Sequence, residues 1–407
     1  MKILVVTHYF WPESFRINDL VAELAQRGHR VTVLTGMPNY PGGRRYQGYG
    51  WLRPSRQEYR GATIVRHPVV TRGSGSGLRR ILNYGSAAAF GALFGALFLR
   101  ERFDVIFTFE PSPITTGVPS AVVRWRQRVP AVLWVQDLWP ETLLATGMVK
   151  SRLILRLVAH LVRFVYRTTD LILVQSHGFL DSVQRYAPAR TPIEYVPNWA
   201  EDFYRPLAPE TCVAERAEYP AGFAIVFAGS IGAAQSLETM LDAAQALSAD
   251  IQWIVFGDGH RADWLREQIA ERGLGNRVHF LGSRPAETMP RYFAAADALF
   301  VSLRDDPIFA LTIPSKLQSY LACGRPVIAV LAGEGARIVR EAACGMVVSP
   351  GDGAALARAV LELRGLAPAV RSAMGARGHD YYRAHFERGR VIDRVEALLT
   401  SLARSPT

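Results

Sequence analysis

The sequence predicts an α/β protein of two doubly wound, Rossmann-like domains, and three observations support this prediction. Its 407 residues exceed the ~100–200 residues expected of one domain. Strand-like runs such as 3–6 (ILVV) and 171–174 (LILV) are apolar on both faces, which is typical of parallel strands covered by helices on both sides. Such runs alternate with helix-like segments, and a proline-rich stretch at 197–223 separates two series of them.

The individual elements follow from periodicity and from turn residues. In the first half, the predicted strands cover 2–9, 30–35, 63–70, 104–109, 131–136, 170–175 and 193–196. In the second half, they cover 224–228, 252–256, 278–281, 298–302, 327–331 and 346–348. Helical periods fill most of the connections, as at 15–27, where Gly28 ends the pattern. The predicted domains are 1–200 and 201–385, and long helices near 368–385 and 388–403 close the chain.

The net charge of +11 is concentrated in the first half. Residues 1–200 carry 25 Lys and Arg against 12 Asp and Glu, whereas residues 201–407 carry 22 against 24. This excess favours an anionic partner, such as a phosphorylated substrate, an anionic membrane surface or nucleic acid. A proteome rich in arginine would also produce such a surface. The sequence has no nucleic-acid-binding signature and its second half is close to neutral, so we expect no nucleic acid partner.

One apolar stretch allows two interpretations. The longest run of apolar or small residues, 86–99, has 14 residues, fewer than the ~20 that a spanning helix needs. The wider stretch 79–100 has arginines at both ends and a body of Phe, Leu and Ala. It is typical either of a helix that lies in a membrane interface or of a core helix of the first domain.

Residues that follow the strands of the second half suit a phosphate ligand, because open α/β sheets bind ligands beyond the carboxyl ends of their strands. Ser315 and Lys316 open a helix, and Lys316 is one of only three lysines among 47 basic residues. Backbone N–H groups, a hydroxyl and a point charge at a helix start attract phosphate. An ordinary capped helix is the alternative. Glycine-rich turns add further candidates, each equally compatible with a plain tight turn: Gly229, Ser230 and Gly232, and Gly257 with Asp258 and Arg261.

Residues that follow the strands of the first half suit a hydroxyl-bearing ligand. Asp137 and Glu141 place two carboxylates after one strand, where they could orient or deprotonate a hydroxyl or could favour a helix N-terminus. His8 ends the first strand, although one histidine there often only completes a hydrogen bond. Asn39 and Tyr40 lie in a loop at 36–50, which is longer than most connections and is either functional or disordered.

Several segments together resemble one known family. They are HYFWPESFRINDLVAELAQRGHRVTVLTGMPNYPGG, WVQDLWPE, VPNWAEDFYRP, FAGSIGAAQSLETML, VFGDG, VHFLGSRP and IFALTIPSKLQSYLACGRPV. In this order and spacing they resemble the retaining GT-B glycosyltransferases of family four. The nearest branch is the one that makes bacterial O-antigen and capsule polysaccharide, and within it the N-acetyl-L-fucosamine transferases.

The resemblance implies a GT-B fold with two domains facing a cleft, the final helix 386–407 returning to the first domain. It implies that the second domain holds a UDP-type sugar donor, with the diphosphate at the Gly229 turn and Lys316 and the base near Ser283 and Arg284. The first domain would hold a polyprenyl-diphosphate-linked saccharide near His8, Asn39, Tyr40 and Asp137. We expect Lys316 and Asp137 to be catalytic, and the enzyme to act at the inner face of the plasma membrane, peripheral and cytoplasmic. We expect no essential metal, while a donor-associated Mg²⁺ stays open.

The sequence departs from the family pattern at several functional positions. Two frequent glutamates correspond to Leu311 and Ser319, a frequent arginine and lysine to Ser230 and Gln235, and a frequent histidine to Gln136. These changes leave Lys316 as the main charged phosphate ligand of the second domain. Two other functions stay open at this point: a nucleotide-sugar 2-epimerase of the same fold, and a non-catalytic partner subunit.

Overall fold

A computed structural model of the chain describes residues 1–53, 55–73 and 77–404. It divides into two compact units. The first unit contains Met1–Val196 and the C-terminal residues from Ile392 onward, and the second contains Pro197–Val391. Both are α/β units built on a mostly parallel sheet, so the predicted fold class is confirmed.

The first unit is built on an eight-stranded sheet. Its strands are β1 (Lys2–Thr7), β2 (Arg30–Gly36), β3 (Arg56–Tyr59), β4 (Ala62–His67), β5 (Val105–Glu110), β6 (Ala131–Val135), β7 (Leu171–Val174) and β8 (Ile193–Tyr195). Its helices are α1 (Arg16–Gln26), α2 (Gly77–Leu97), α3 (Gly117–Gln127), α4 (Glu141–Ala145), α5 (Arg152–Arg167) and α6 (Leu180–Gln184).

The strand order is β3-β4-β2-β1-β5-β6-β7-β8, and every neighbouring pair is parallel except β3 and β4. The chain leaves β1 toward β2 and later returns to the other side of β1 at β5, so the order reverses between these two strands. Strand β3 was not predicted because its residues, RQEY, are polar. An edge strand that is exposed on one side does not show the buried pattern by which the others were predicted.

Helix α2 contains the apolar stretch and has two different faces. Its inward face is a stripe of small residues spaced four apart, which includes Ala87, Gly91 and Gly95. A Cβ at Gly91 would lie 2.7 Å from Cγ of Pro119 on α3, so the helices approach closely because the residue is glycine. The outward face carries large exposed side chains, namely Leu78, Ile81, Leu82, Leu93 and Leu97. The helix therefore packs on the unit with one face and presents apolar surface with the other.

The second unit is built on a six-stranded sheet. Its strands are β9 (Phe223–Ala228), β10 (Ile251–Phe256), β11 (Val278–Gly282), β12 (Ala298–Ser302), β13 (Val327–Val330) and β14 (Gly345–Val348). Its helices are α7 (Val213–Ala217), α8 (Glu238–Ala246), α9 (Ala262–Glu271), α10 (Met289–Ala294), α11 (Pro307–Ala310), α12 (Ser315–Ala322), α13 (Gly333–Glu341), α14 (Gly353–Gly365) and α15 (Pro368–His385).

All strands of this sheet are parallel, in the order β11-β10-β9-β12-β13-β14. This is the doubly wound order, and its reversal lies between β9 and β12. The four central strands are buried throughout, while the edge strands β11 and β14 are mostly half-buried. Trp253 and Phe300 meet edge to face in the core with ring centroids 5.2 Å apart. The proline-rich stretch that begins at Pro197 packs into this unit, where Trp199 and Cys212 are fully buried.

The last helix, α16 (Arg388–Arg404), contributes its residues from Ile392 onward to the first unit. Glu396 accepts hydrogen bonds from Arg27 Nη1 at 2.6 Å and from His29 Nε2 at 2.7 Å. Val395 and Leu399 of the same helix are fully buried. Of the helices in the described ranges, none combines the length and the apolar character needed to cross a bilayer.

The close packing of α2 predicts opposite effects for the same substitution at two of its glycines. Gly91→Ala should lower the free energy of unfolding by about 1–3 kcal/mol, because overpacking outweighs the gain in helix propensity. Gly85→Ala should raise it by up to about 1 kcal/mol, because nothing lies within 4 Å of a Cβ at Gly85. Chemical denaturation of both variants measures the difference. Equal effects would contradict the close contact with Pro119.

Candidate active site

Two glycine turns lie at the carboxyl edge of the second sheet, after the adjacent strands β9 and β10 and next to the point where the strand order reverses. Gly229 follows β9 with φ of +127°, and Gly257 follows β10 with φ of +139°. A Cβ at Gly257 would lie 1.9 Å from the carbonyl oxygen of Gly229. The N–H of Gly229 donates to the carbonyl of Phe256 at 3.0 Å. Neither turn therefore has room for a side chain where the two meet, and their backbones are exposed to a ligand.

Further hydrogen bonds hold these two turns together. The N–H of Ile231 donates to the carbonyl of Asp258 at 2.8 Å, and the N–H of Arg261 donates to the carbonyl of Ile231 at 3.2 Å. The N–H of Gly232 donates to Oε1 of Gln235 at 3.0 Å. The Asp258 carboxylate accepts the N–H of Gly259 at 2.7 Å. The structure thus brings the predicted residues of both turns to one place on the sheet edge.

Lys316 places a positive charge beside these turns. It lies in the first turn of α12, and its Cε would be 2.5 Å from a Cβ at Gly229. Its Nζ is 4.7 Å from the ring centre of Phe227. Among the described residues, no carboxylate forms an ion pair with it. Burial lowers the pKa of Lys316 to about 8, so the ammonium is mostly charged at neutral pH and lacks a counter-ion.

The other residues predicted to bind the donor are exposed serines and arginines that form ion pairs. Ser230, Ser283 and Ser315 are exposed along the sheet edge and the start of α12. Arg261 pairs with Glu238 at 2.6 Å and stacks on Trp264 with its guanidinium carbon 3.5 Å from the ring centre. Arg284 pairs with Glu218 at 3.3 Å and donates to Tyr292 Oη at 3.4 Å. The charges of these two arginines are already balanced by carboxylates.

The positions of the missing family glutamates hold no acid. Ser319 donates from Oγ to the carbonyl of Ser315 at 3.4 Å, within α12. The nearby carboxylate of Asp306 accepts the N–H of Ile308 at 3.1 Å and pairs with Arg304 at 3.3 Å. Asp306 therefore caps α11. The departures leave a less acidic site around Lys316, which favours the binding of an anion there.

In the first unit, Glu13 joins two loops that follow β1 and β2. Its Oε1 accepts the N–H of Asn39 at 2.8 Å and of Tyr40 at 2.7 Å, and its Oε2 accepts the N–H of Phe10 at 3.2 Å. Burial raises the pKa of Glu13 to about 7. Glu13 was not among the predicted site residues. A carboxylate within the loop that follows β1 was the available signal.

His8 is buried at the end of β1. Its Nε2 lies 3.1 Å from Oδ1 of Asn83, and its ring meets Tyr9 edge to face with centroids 4.4 Å apart. Burial lowers the pKa of His8 to about 3, so the imidazole is neutral at physiological pH. This arrangement makes His8 a hydrogen-bonding group and a weak base.

Arg72 lies among the predicted acceptor residues, although it was not itself predicted. Its backbone N–H donates to Oδ1 of Asn39 at 3.2 Å, and its Nη1 donates to Tyr9 Oη at 2.8 Å. Its guanidinium carbon is 5.5 Å from the ring centre of Tyr40 and 5.9 Å from that of Tyr84. The structure therefore builds an aromatic surface around one arginine, a composition suited to sugar and phosphate.

Acidic side chains occupy the ends of β5 and β6. Asp137 accepts hydrogen bonds from Thr142 Oγ1 at 2.6 Å and from Trp139 Nε1 at 3.3 Å, and burial raises its pKa. Glu110 is fully buried, and its carboxylate oxygens have no hydrogen-bond partner among the described residues. Burial and then the charge of Asp137 raise the pKa of Glu110 well above its usual range. Glu141 lies 3.9 Å from Arg185. Burial therefore disfavours the ionised form of both carboxyl groups, and the neighbouring charge of Asp137 adds to this effect at Glu110.

No group of three or more His, Cys, Asp and Glu side chains within 1–53, 55–73 and 77–404 is arranged to hold a metal ion.

Known proteins share this architecture. Over 98% of the chain it matches Anabaena Alr3699/HepE in complex with UDP-glucose, with a TM-score of 0.72, 17% identity and 100% of that protein covered. Sucrose-phosphate synthase from Thermosynechococcus elongatus matches over 99% of both chains, with a TM-score of 0.74 and 18% identity. The fold is GT-B, the two-domain architecture of many nucleotide-sugar transferases.

Sequence comparison gives the family. Residues 14–199 match the model "Glycosyl transferase 4-like domain", and residues 222–365 match "Glycosyl transferases group 1". The probable glycosyltransferase WbjE of Pseudomonas aeruginosa is 27% identical, over 71% of this chain and 74% of the relative. The putative colanic acid biosynthesis glycosyl transferase WcaI of Escherichia coli K12 is 27% identical, over 80% of this chain and 82% of the relative. The chain is a glycosyltransferase of group 1.

The depressed pKa of His8 predicts a loss of stability in acid. The folded pKa, about 3, lies below the ordinary 6.5, so the unfolded chain binds the extra proton and the free energy of unfolding falls as the pH drops below about 6.5. The contribution of His8 should be about 1 kcal/mol per pH unit. His8→Gln should remove it, as measured by denaturation at pH 7 and pH 5. The exposed His160→Gln is the control, and parallel pH profiles for wild type and His8→Gln would refute the assignment.

Proposed function

We propose that this glycosyltransferase moves a sugar from a UDP-type donor to a polyprenyl-diphosphate-linked saccharide, with retention of configuration, during synthesis of a bacterial O-antigen, capsule or exopolysaccharide. The observation that carries the proposal is the uncompensated ammonium of Lys316 beside the Gly229 turn. The names of the relatives WbjE and WcaI, and the UDP-glucose complex of HepE, support the donor class and the pathway. N-acetyl-L-fucosamine is the sugar that the sequence resemblance favours.

In the proposed reaction, Lys316 stabilises the leaving group. As the bond between the anomeric carbon and the donor diphosphate breaks, negative charge grows on the phosphate oxygen. The ammonium and the exposed backbone at Gly229 are fixed in advance at the position where this charge develops. The acceptor hydroxyl attacks from the same face, and the departing phosphate oxygen takes its proton. Because Lys316 supplies the compensating charge, the proposal requires no essential metal, and a donor-associated Mg²⁺ would add to it.

The first unit is proposed to bind the acceptor. His8, Asn39 and Tyr40 lie at the carboxyl ends of β1 and β2, where the aromatic surface offers faces for a sugar ring. Asp137 and Glu141 would orient acceptor hydroxyls. The hydrogen bonds from Thr142 and Trp139 hold the Asp137 carboxylate in one orientation, which suits a residue that positions a hydroxyl.

We also propose that the first unit docks on the inner, anionic face of the plasma membrane, which makes the enzyme peripheral and cytoplasmic. The exposed apolar residues of α2 lie near a second exposed group that includes Met148, since Arg80 Nη1 contacts the Met148 sulfur at 3.2 Å. Residues 59–100 and 142–169 contain no Asp or Glu. Apolar side chains with basic neighbours and no acids are typical of an interfacial surface. The second exposed group is Leu144, Met148, Leu153, Ile154 and Leu157.

Replacing Lys316 tests the donor site. Lys316→Met should weaken UDP binding about 10-fold or more, because a charged contact to phosphate is lost, and should lower turnover by about 10²–10³-fold. Calorimetry with UDP and an assay of acceptor-dependent UDP release measure the two effects. UDP affinity of the wild type should fall above pH 8, where Lys316 loses its proton.

Lys150→Met is the matched control, since Lys150 is an exposed lysine of the first unit. Its UDP affinity should equal that of the wild type. Unchanged UDP binding by Lys316→Met would remove Lys316 from the donor site. Conversion of the UDP-sugar without an acceptor would replace the transferase proposal with the epimerase.

Vesicle flotation tests the membrane surface. The protein should float with vesicles that contain anionic lipid, and this binding should weaken as salt is added. Ile81→Glu with Leu157→Glu should abolish flotation, because two carboxylates would enter the apolar contact. Val213→Glu, at a similarly exposed apolar position of the second unit, is the control. Flotation of the double variant at the wild-type level would exclude this surface.

A further inference from the structure

Arg72 is held in one place by three tyrosines from different parts of the first unit. Its guanidinium carbon lies 6.0 Å, 5.5 Å and 5.9 Å from the ring centres of Tyr9, Tyr40 and Tyr84. Its Nη1 donates to Tyr9 Oη at 2.8 Å, and its backbone N–H is bound by Asn39. Because the rings and the hydrogen bonds fix the side chain, its remaining N–H groups are preorganised to bind a ligand.

The charge of Arg72 is not balanced within the described part of the chain. No Asp or Glu there forms an ion pair with it. The nearby Glu13 uses both oxygens on backbone N–H groups. Burial lowers the pKa of His8 and raises that of Tyr9, so both stay neutral. A half-buried guanidinium among neutral aromatic groups is a site for an anion.

The residues around Arg72 indicate which kind of anion would bind there. On one side lie His8, Asn39 and Tyr40, the residues proposed to bind the acceptor sugar. On the other side Tyr84 belongs to α2, whose preceding turns expose Leu78, Ile81 and Leu82. Arg72 thus lies between a sugar-binding surface and an apolar surface. A lipid-linked saccharide has its diphosphate in that same position, between the sugar and the hydrocarbon chain.

We propose that Arg72 binds the diphosphate of the lipid-linked acceptor and thereby selects acceptors that carry this group. The inference rests on the proposal that the first unit binds the acceptor. The guanidinium offers paired N–H donors that match two phosphate oxygens, while the tyrosine faces pack on the adjoining sugar or prenyl chain. A carboxylate on an acidic acceptor sugar would share this chemistry. The diphosphate is favoured because the apolar face of α2 begins directly beyond Arg72.

Binding of geranyl diphosphate, a short prenyl diphosphate without sugar, tests the site without any need for turnover. Measurements are made with UDP at saturation, so that the donor site is occupied. Arg72→Gln should weaken binding of geranyl diphosphate about 10- to 100-fold. Arg72→Lys should lose less of this affinity because lysine keeps the positive charge. Arg163→Gln should bind as the wild type does. Arg163 also stacks on a tyrosine, Tyr186, with its guanidinium carbon 5.3 Å from the ring centre.

A comparison of acceptors supplies the second readout. For the diphosphate-linked saccharide, Arg72→Gln should raise the acceptor KM about 10- to 100-fold and leave the donor KM unchanged. For the same saccharide on a neutral alkyl group, the variant should equal the wild type. A loss on both acceptors would indicate a structural role and overturn the proposal.

The outcomes separate this inference from the proposed function. Failure of the wild type to bind geranyl diphosphate, or equal affinity of wild type and Arg72→Gln, overturns the role of Arg72 even when UDP binds normally. Tighter binding of glucuronate than of geranyl diphosphate would assign Arg72 to an acidic sugar and also overturn it. Failure to bind UDP would instead contradict the proposed transferase function, which calorimetry detects without any acceptor.

Discussion

The close approach of the two glycine turns in the second unit is the constraint on which the candidate donor site depends. The carbonyl oxygen of Gly229 occupies the place of a side chain at Gly257, and the chain of Lys316 occupies the place of a side chain at Gly229. The sheet fixes both turns because each directly follows a buried strand. Because Gly229 has no Cβ, the Lys316 side chain can pass close to this turn, which brings its ammonium beside the sheet edge.

The basic residues near the two candidate sites differ in whether a carboxylate balances their charge. Arg261 and Arg284 resemble ligand-binding residues in sequence, yet each pairs with a glutamate. Lys316 in the second unit and Arg72 in the first unit have no such partner among the described residues, and both lie in partly apolar surroundings. An anion should bind more strongly at such a position than at an exposed cation. Exposed ion pairs contribute little binding free energy, whereas an unpaired cation that is already partly desolvated interacts more strongly with an anion.

Structural features that depend on one short segment could be predicted from the sequence. Strands buried on both faces were predicted from their continuous apolar runs, and the helix that Ser315 and Lys316 open was predicted from the segment itself. Residues whose role depends on distant segments were not predicted. Glu13 acts on loops more than twenty residues away, and Arg72 acts through tyrosines on three separate segments. Their contacts arise only when the sheet brings these segments together.

In α2, one face packs against α3 and a different face presents large apolar side chains at the surface. Its Gly and Ala residues pack against α3, and the large aliphatic side chains contribute little to that contact. Substitutions on the outward face should therefore have small effects on stability. In a solution without detergent or lipid, the exposed apolar face of α2 favours self-association of the purified protein.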